Sequence, residues 1–158
     1  MLLAAAAAIG AWAAAWATKR AAEALILFDL VNYYATEEMT EALRTLRAWR
    51  EQHGDEFADR WELAMATGDP AAAAVDRARR RVTAYFQNAD ELWQSRLISK
   101  STARVAVDKA GLAVLINVCG RLERRLDPQV NLGFIRRLRT LCPHRRDLMV
   151  TIPLQPPE

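Results

Sequence analysis

The chain has 158 residues, 52% of them hydrophobic, with two cysteines and a formal net charge of +3. That length suits one domain with a proper core, and two cysteines without a CxxC pair exclude a disulfide framework. Six glycines and six prolines leave little punctuation for many strands, so an all-α class is expected.

Charge is unevenly spread along the chain. Residues 1–70 carry 6 Lys and Arg against 11 Asp and Glu, whereas residues 71–158 carry 16 against 8. An acidic first half and a basic second half can pack on each other. Otherwise the basic half faces an anionic partner such as lipid headgroups, nucleic acid or an acidic protein.

The first seventeen residues, MLLAAAAAIGAWAAAWA, carry no charge, and Lys19 and Arg20 follow. Seventeen helical residues rise about 26 Å, barely enough for a hydrocarbon core of about 30 Å. Trp12 and Trp16 stand at i, i+4 just before the cations, where an interfacial aromatic anchor belongs, and Lys19 and Arg20 are placed to snorkel. The expectation is a single N-terminal transmembrane helix over 1–20. The positive-inside rule then puts the N-terminus outside an inner membrane and the rest in the cytosol. A cleaved signal peptide and a soluble Ala-rich helix are the competing readings. Ala4, Ala8, Ala11 and Ala15 line one face at i, i+4, i+7, i+11. They are the expected contact with a partner helix, since small residues let helices approach closely in lipid.

No breaker follows Arg20 before Tyr34, so anchor and domain are expected to share one helix, with Leu25, Phe28 and Val31 burying one face. Thr36 reads as an N-cap, with Glu37 and Glu38 in the first turn. Met39, Leu43, Leu46 and Trp49 recur at helical spacing up to a stop at His53-Gly54. A shorter helix over 55–66 presents Phe57, Trp61 and Met65. Asp69-Pro70 opens a long helix over 70–97, Asp as cap and Pro in the first turn. Its stripe is Val75, Val82, Phe86, Trp93 and Leu97. Segments 103–109 and 112–126 follow, parted at Gly111, and a last helix covers 132–141. The cytosolic helical domain spans 21–146 as a bundle of about five helices, and the proline-rich 147–158 reads as an extended or disordered tail.

Chemistry-bearing patterns are sparse. Cys142-Pro143-His144 places a thiol and an imidazole two apart, but no orienting carboxylate or amide is implied. Glu37-Glu38 and Asp90-Glu91 read as solvated helix faces. No phosphate loop, GxGxxG or HExxH is present. No catalytic residue, cofactor or metal is therefore expected. Arg77, Arg80 and Arg81 share one helical face and are the candidate anion-binding set.

Residues 78–99, ARRRVTAYFQNADELWQSRLIS, follow a long helix with an aromatic-acidic patch (Phe28, Asp29, Tyr33, Tyr34) and a short apolar N-terminus. This order resembles a bacterial domain-of-unknown-function family of small proteins with one N-terminal membrane helix and an all-helical cytosolic domain. The matching positions are chiefly Arg80, Val82, Phe86, Leu92, Leu97 and Ile98, within a resemblance that covers roughly 20–126. The resemblance implies no activity and no catalytic residue. The function expected from the whole reading is a non-enzymatic, membrane-anchored accessory or scaffold subunit that packs its Ala-rich helix against a larger membrane complex. The alternative is a membrane-tethered regulator whose basic half binds anionic lipid or, less favoured, nucleic acid.

Overall fold

The computed structural model describes residues 2–142, with side chains from Gly10 onward. The described residues form helices and no strand. α1 is Leu2–Tyr34, α2 Glu37–His53, α3 Phe57–Ala66, α4 Pro70–Gln94 and α5 Lys100–Ala106. α6 covers 109–126 and contains a π turn at Leu115–Cys119. α7 is Gly133–Arg139.

Among the described residues, no helix is long and apolar enough to cross a membrane. This corrects the expected transmembrane helix and, with it, the inner-membrane, N-outside placement. The physical reason lies in α1 itself. Its apolar stretch is mostly alanine, which adds little hydropathy. Beyond Gly10 the helix soon carries Lys19, Arg20, Glu23 and Asp29. Trp12, Trp16, Lys19 and Arg20 are therefore not the flank of a spanning segment.

The cap residues do what their chemistry dictates. The Thr36 hydroxyl accepts from the Met39 N–H at 3.3 Å, and the Asp69 carboxylate accepts from Ala71 N–H at 2.7 Å with Pro70 in the first turn. Ser99 accepts from Thr102 N–H at 3.2 Å. The break expected at Gly111 falls instead at Val107-Asp108. Asp108 caps α6 by accepting from Gly111 N–H at 2.8 Å, and Gly111 lies within the helix. Gly111 matters for packing instead. A Cβ there would collide with the Tyr34 hydroxyl and lie 3.1 Å from the Phe86 ring. Only glycine lets α1 and α4 close on α6 at this point.

α2 lies along α4, and these two helices with α6 enclose the core. Phe57, Trp61, Phe86, Leu112, Leu115 and Leu122 are fully buried. Buried aromatics keep their polar ends satisfied, as burial requires. Trp49 Nε1–H donates to the Phe57 carbonyl at 2.9 Å, Trp61 Nε1–H to Ala72 at 3.2 Å, and the Tyr85 hydroxyl to Ala106 at 2.7 Å. Trp93 is half-buried against the core rather than enclosed, and Leu97 is 53% exposed because α4 ends three residues before it.

The face expected to bury α1 is wrong by about half a turn. Leu25, Phe28 and Val31 are exposed, and the helix grips the domain through Ile26, Leu27, Leu30 and Tyr34. Both sets recur at helical spacing. The sequence pattern alone does not choose between two apolar stripes on one helix.

Candidate functional site

Two features set α1 apart. The first is its reach. Side chains 10–22 are all exposed, so this stretch of the helix projects beyond the described bundle. Trp12 is 71% and Trp16 52% exposed, and the Arg20 guanidinium lies 4.7 Å from the Trp16 ring centroid. Lys19, Ala11 and Ala15 are exposed on the same segment. The side chains of Ala4 and Ala8, the other half of the expected packing face, lie outside the described residues.

The second feature is how the helix is held. The Glu23 carboxylate accepts from the Ser99 N–H at 2.6 Å and from the Thr102 hydroxyl, at the start of α5. Those hydrogen bonds, Ser99 foremost, pull its pKa down to about 2 by stabilising the anion. At the C-terminal end of α1, the Tyr34 hydroxyl donates to Asp108 Oδ2 at 2.8 Å, and its ring packs against Tyr85 at 5.1 Å between centroids. Burial and the Asp108 carboxylate push the Tyr34 pKa up, and burial does the same for Tyr85. Both phenols therefore remain neutral hydrogen-bond donors. Neither Glu23 nor Asp108 stands out in the sequence as a tether. A carboxylate that caps a helix from a distant element has no local signature.

Between these two attachments α1 stands off from α4 and leaves an open groove of about 560 Å³. Ile26, Asp29, Leu30 and Tyr33 line it from α1, and Ala84, Tyr85, Asn88 and Leu92 from α4. The size is that of a ligand or side-chain docking site, and the mostly apolar lining with a few polar groups is typical of one. No motif announces it, because its two walls are separated by more than fifty residues.

The arginine candidates separate in space. Arg79, from the same run, is buried. Its guanidinium meets Asp76 Oδ1 at 2.8 Å, pairs with Glu123 and lies 6.0 Å from the Trp61 ring centroid. Arg80 is exposed and pairs with Asp76 Oδ2 at 2.8 Å. Arg77 and Arg81 are exposed on the α4 face that leads into the groove. Elsewhere the basic second half meets the acidic first half directly. Arg121 donates to the Asp55 carbonyl at 2.9 Å, and Arg125 pairs with Asp59 and, at 3.6 Å, with Glu62.

Nucleophilic chemistry has little footing among the described residues. Cys119 is fully buried, and burial pushes its thiol up to about 12. Cys142 is buried with its pKa also raised by burial. Its sequence partner His144 lies outside the described residues. Among the described residues, no group of three or more His, Cys, Asp or Glu side chains is placed to hold a metal.

No protein-family model matches the chain, and searches of curated proteins and of solved structures return no significant match. Any functional reading therefore rests on the geometry of the molecule.

Proposed function

We propose that this protein is a non-enzymatic helical adaptor whose α1 presents an apolar face to a larger partner protein. The observation that carries this reading is the solvent face of α1, where Leu25 is 67%, Phe28 63% and Val31 43% exposed at i, i+3, i+6. Three large apolar side chains on one exposed helical face form the arrangement that helix-in-groove partners read. Scattered single apolar residues on a surface need no explanation, but an aligned set does. The buried thiols and internally paired arginines leave the described surface without an evident reactive centre, which favours binding over chemistry.

The reading through anionic partners has less support. Arg80 is already paired and Arg79 is in the core, and Arg77 and Arg81 are turned to solvent with no ion pair to a described residue.

A photo-crosslinking residue in place of Phe28, introduced in the native cell, tests the proposal. The expected result is one discrete adduct with a different polypeptide, lost when Leu25 and Val31 are both replaced by Ser, while the thermal unfolding curve stays unchanged. An adduct of twice the chain mass, or none at all, overturns it.

A further inference from the structure

The free half of α1 points to a second partner that the Phe28 face does not involve: another copy of this chain. Along α1, Trp12, Ala15, Lys19, Ala22, Ile26, Asp29 and Tyr33 recur at intervals of three and four and so share one face. Its C-terminal part forms one wall of the groove, and the side chains of residues 10–22 ahead of it are exposed. We propose that two copies associate by laying their α1 helices antiparallel, each inserting Trp12 and Trp16 into the other's α1–α4 groove.

The self-complementarity is specific. An antiparallel pair with its two-fold axis beside Ala22 sets Trp12 opposite the partner copy's Tyr33 position and Trp16 opposite its Asp29 position. A two-fold interface repeats each such contact twice. Charge agrees with that register. The projecting half carries Lys19 and Arg20 with no acid before Glu23, and the groove carries the Asp29 carboxylate. That carboxylate makes no side-chain hydrogen bond or ion pair with any described residue. Helical side chains lean toward their own N-terminus. Lys19 therefore leans along the helix toward the level of the opposing Asp29. Small residues lie on the shared face near the axis, since Ala15 and Ala22 allow the backbones to approach closely.

The amount of surface is in proportion. A tryptophan buries about 150–250 Å². With Trp12 71% and Trp16 52% exposed, the four rings of a dimer bring on the order of 500 Å². The alanine backbone contacts, Lys19 stem and Tyr33 ring extend this toward the roughly 1,200–2,000 Å² of a specific interface. The groove of about 560 Å³ has room for bulky aromatic side chains without a change in the core. The far face with Leu25 and Phe28 stays open in this arrangement, so the adaptor reading and the dimer stand or fall separately.

Sedimentation equilibrium of the full chain tests the proposal. A reversible dimer is expected at micromolar concentration. Replacing Trp12 and Trp16 together by Ala should weaken it at least about thirtyfold, the effect of losing an interface anchor. Charge reversal separates this register from general stickiness. Lys19→Asp and Asp29→Lys should each weaken the dimer, and the two together in one chain should restore it. A chain that stays monomeric throughout, or a dimer indifferent to both Trp and charge variants, overturns the proposal. Because all these positions are exposed, circular dichroism of each variant should match the parent, which removes misfolding as an explanation.

Discussion

α1 and α4 are the two longest helices, and they use their length in opposite ways. α4 has 25 residues and buries ten side chains, including the charged Asp76, Arg79 and Asp90. α1 has 33 residues, and Leu30 is its one buried side chain among those described. α1 is the more apolar of the two in sequence. Apolar composition therefore did not decide burial here; the availability of a facing surface did. α4 is enclosed by α2, α5, α6 and α7, so Asp76, Arg79 and Asp90 are desolvated and paired. α1 meets the bundle along half its length and is fixed at two polar points, Glu23 and Tyr34.

The contrast is broken most directly at matched phenylalanines. Phe86 is fully buried on α4, and Phe28 is 63% exposed on α1. Phe86→Ala should cost about 3–5 kcal/mol through lost burial and the cavity left behind, whereas Phe28→Ala should stay within about 0.5 kcal/mol. Urea unfolding of both variants measures the difference, and comparable losses would mean that α1 is packed as tightly as α4.

Matched arginines sharpen the same point. Arg79→Ala leaves Asp76 and Glu123 facing each other in the interior without their shared cation. A loss of about 3–5 kcal/mol is expected for breaking a buried pair from one side. Arg81→Ala on the solvent face of the same helix should change stability by no more than about 0.5 kcal/mol. Equal effects in denaturant titrations would show that the Asp76–Arg79–Glu123 cluster is hydrated.

Gly111 tests the joint where the two helices meet α6. Gly111→Ala forces a methyl group against the Tyr34 hydroxyl and the Phe86 ring. Overpacking of this kind costs about 1–3 kcal/mol. Adding Tyr34→Phe removes the colliding hydroxyl and should recover part of the loss, a non-additivity that thermal unfolding of the double variant reads directly.

The smallest expected effect belongs to the Glu23 tether. Its folded-state pKa is depressed from the ordinary 4.5 to about 2, so its contribution is present above the ordinary value and is lost as pH falls toward about 2. Amide exchange along residues 24–34, taken relative to the intrinsic rate at each pH, should accelerate in that acid window and in Glu23→Gln at neutral pH, while exchange in α4 on the same scale stays unchanged. Uniform acceleration across both helices would mean that α1 opens only with the whole domain.

Much of the helical framework is legible in short stretches of sequence. Thr36 and Asp69-Pro70 announce helix starts, because a side-chain oxygen that satisfies the first free N–H groups acts within three residues. The core positions of α2 and α4, such as Leu46, Val82 and Phe86, are legible for the same local reason of periodicity. The membrane reading fails because a run of alanines lacks charge without being strongly apolar. The buried face of α1 is misassigned because its two apolar stripes are equally periodic.

What the sequence by itself determined was the all-helical class, where α2 and α4 begin, and which face of a well-enclosed helix turns inward. Each follows from interactions between residues a few positions apart. Tertiary structure alone decided that Arg79 is a core residue while Arg81 is solvated, that Glu23 caps α5 from 76 residues away, and that α1 and α4 enclose a groove. These depend on which surfaces meet across long stretches of chain, and that meeting is fixed by the packing of the whole core.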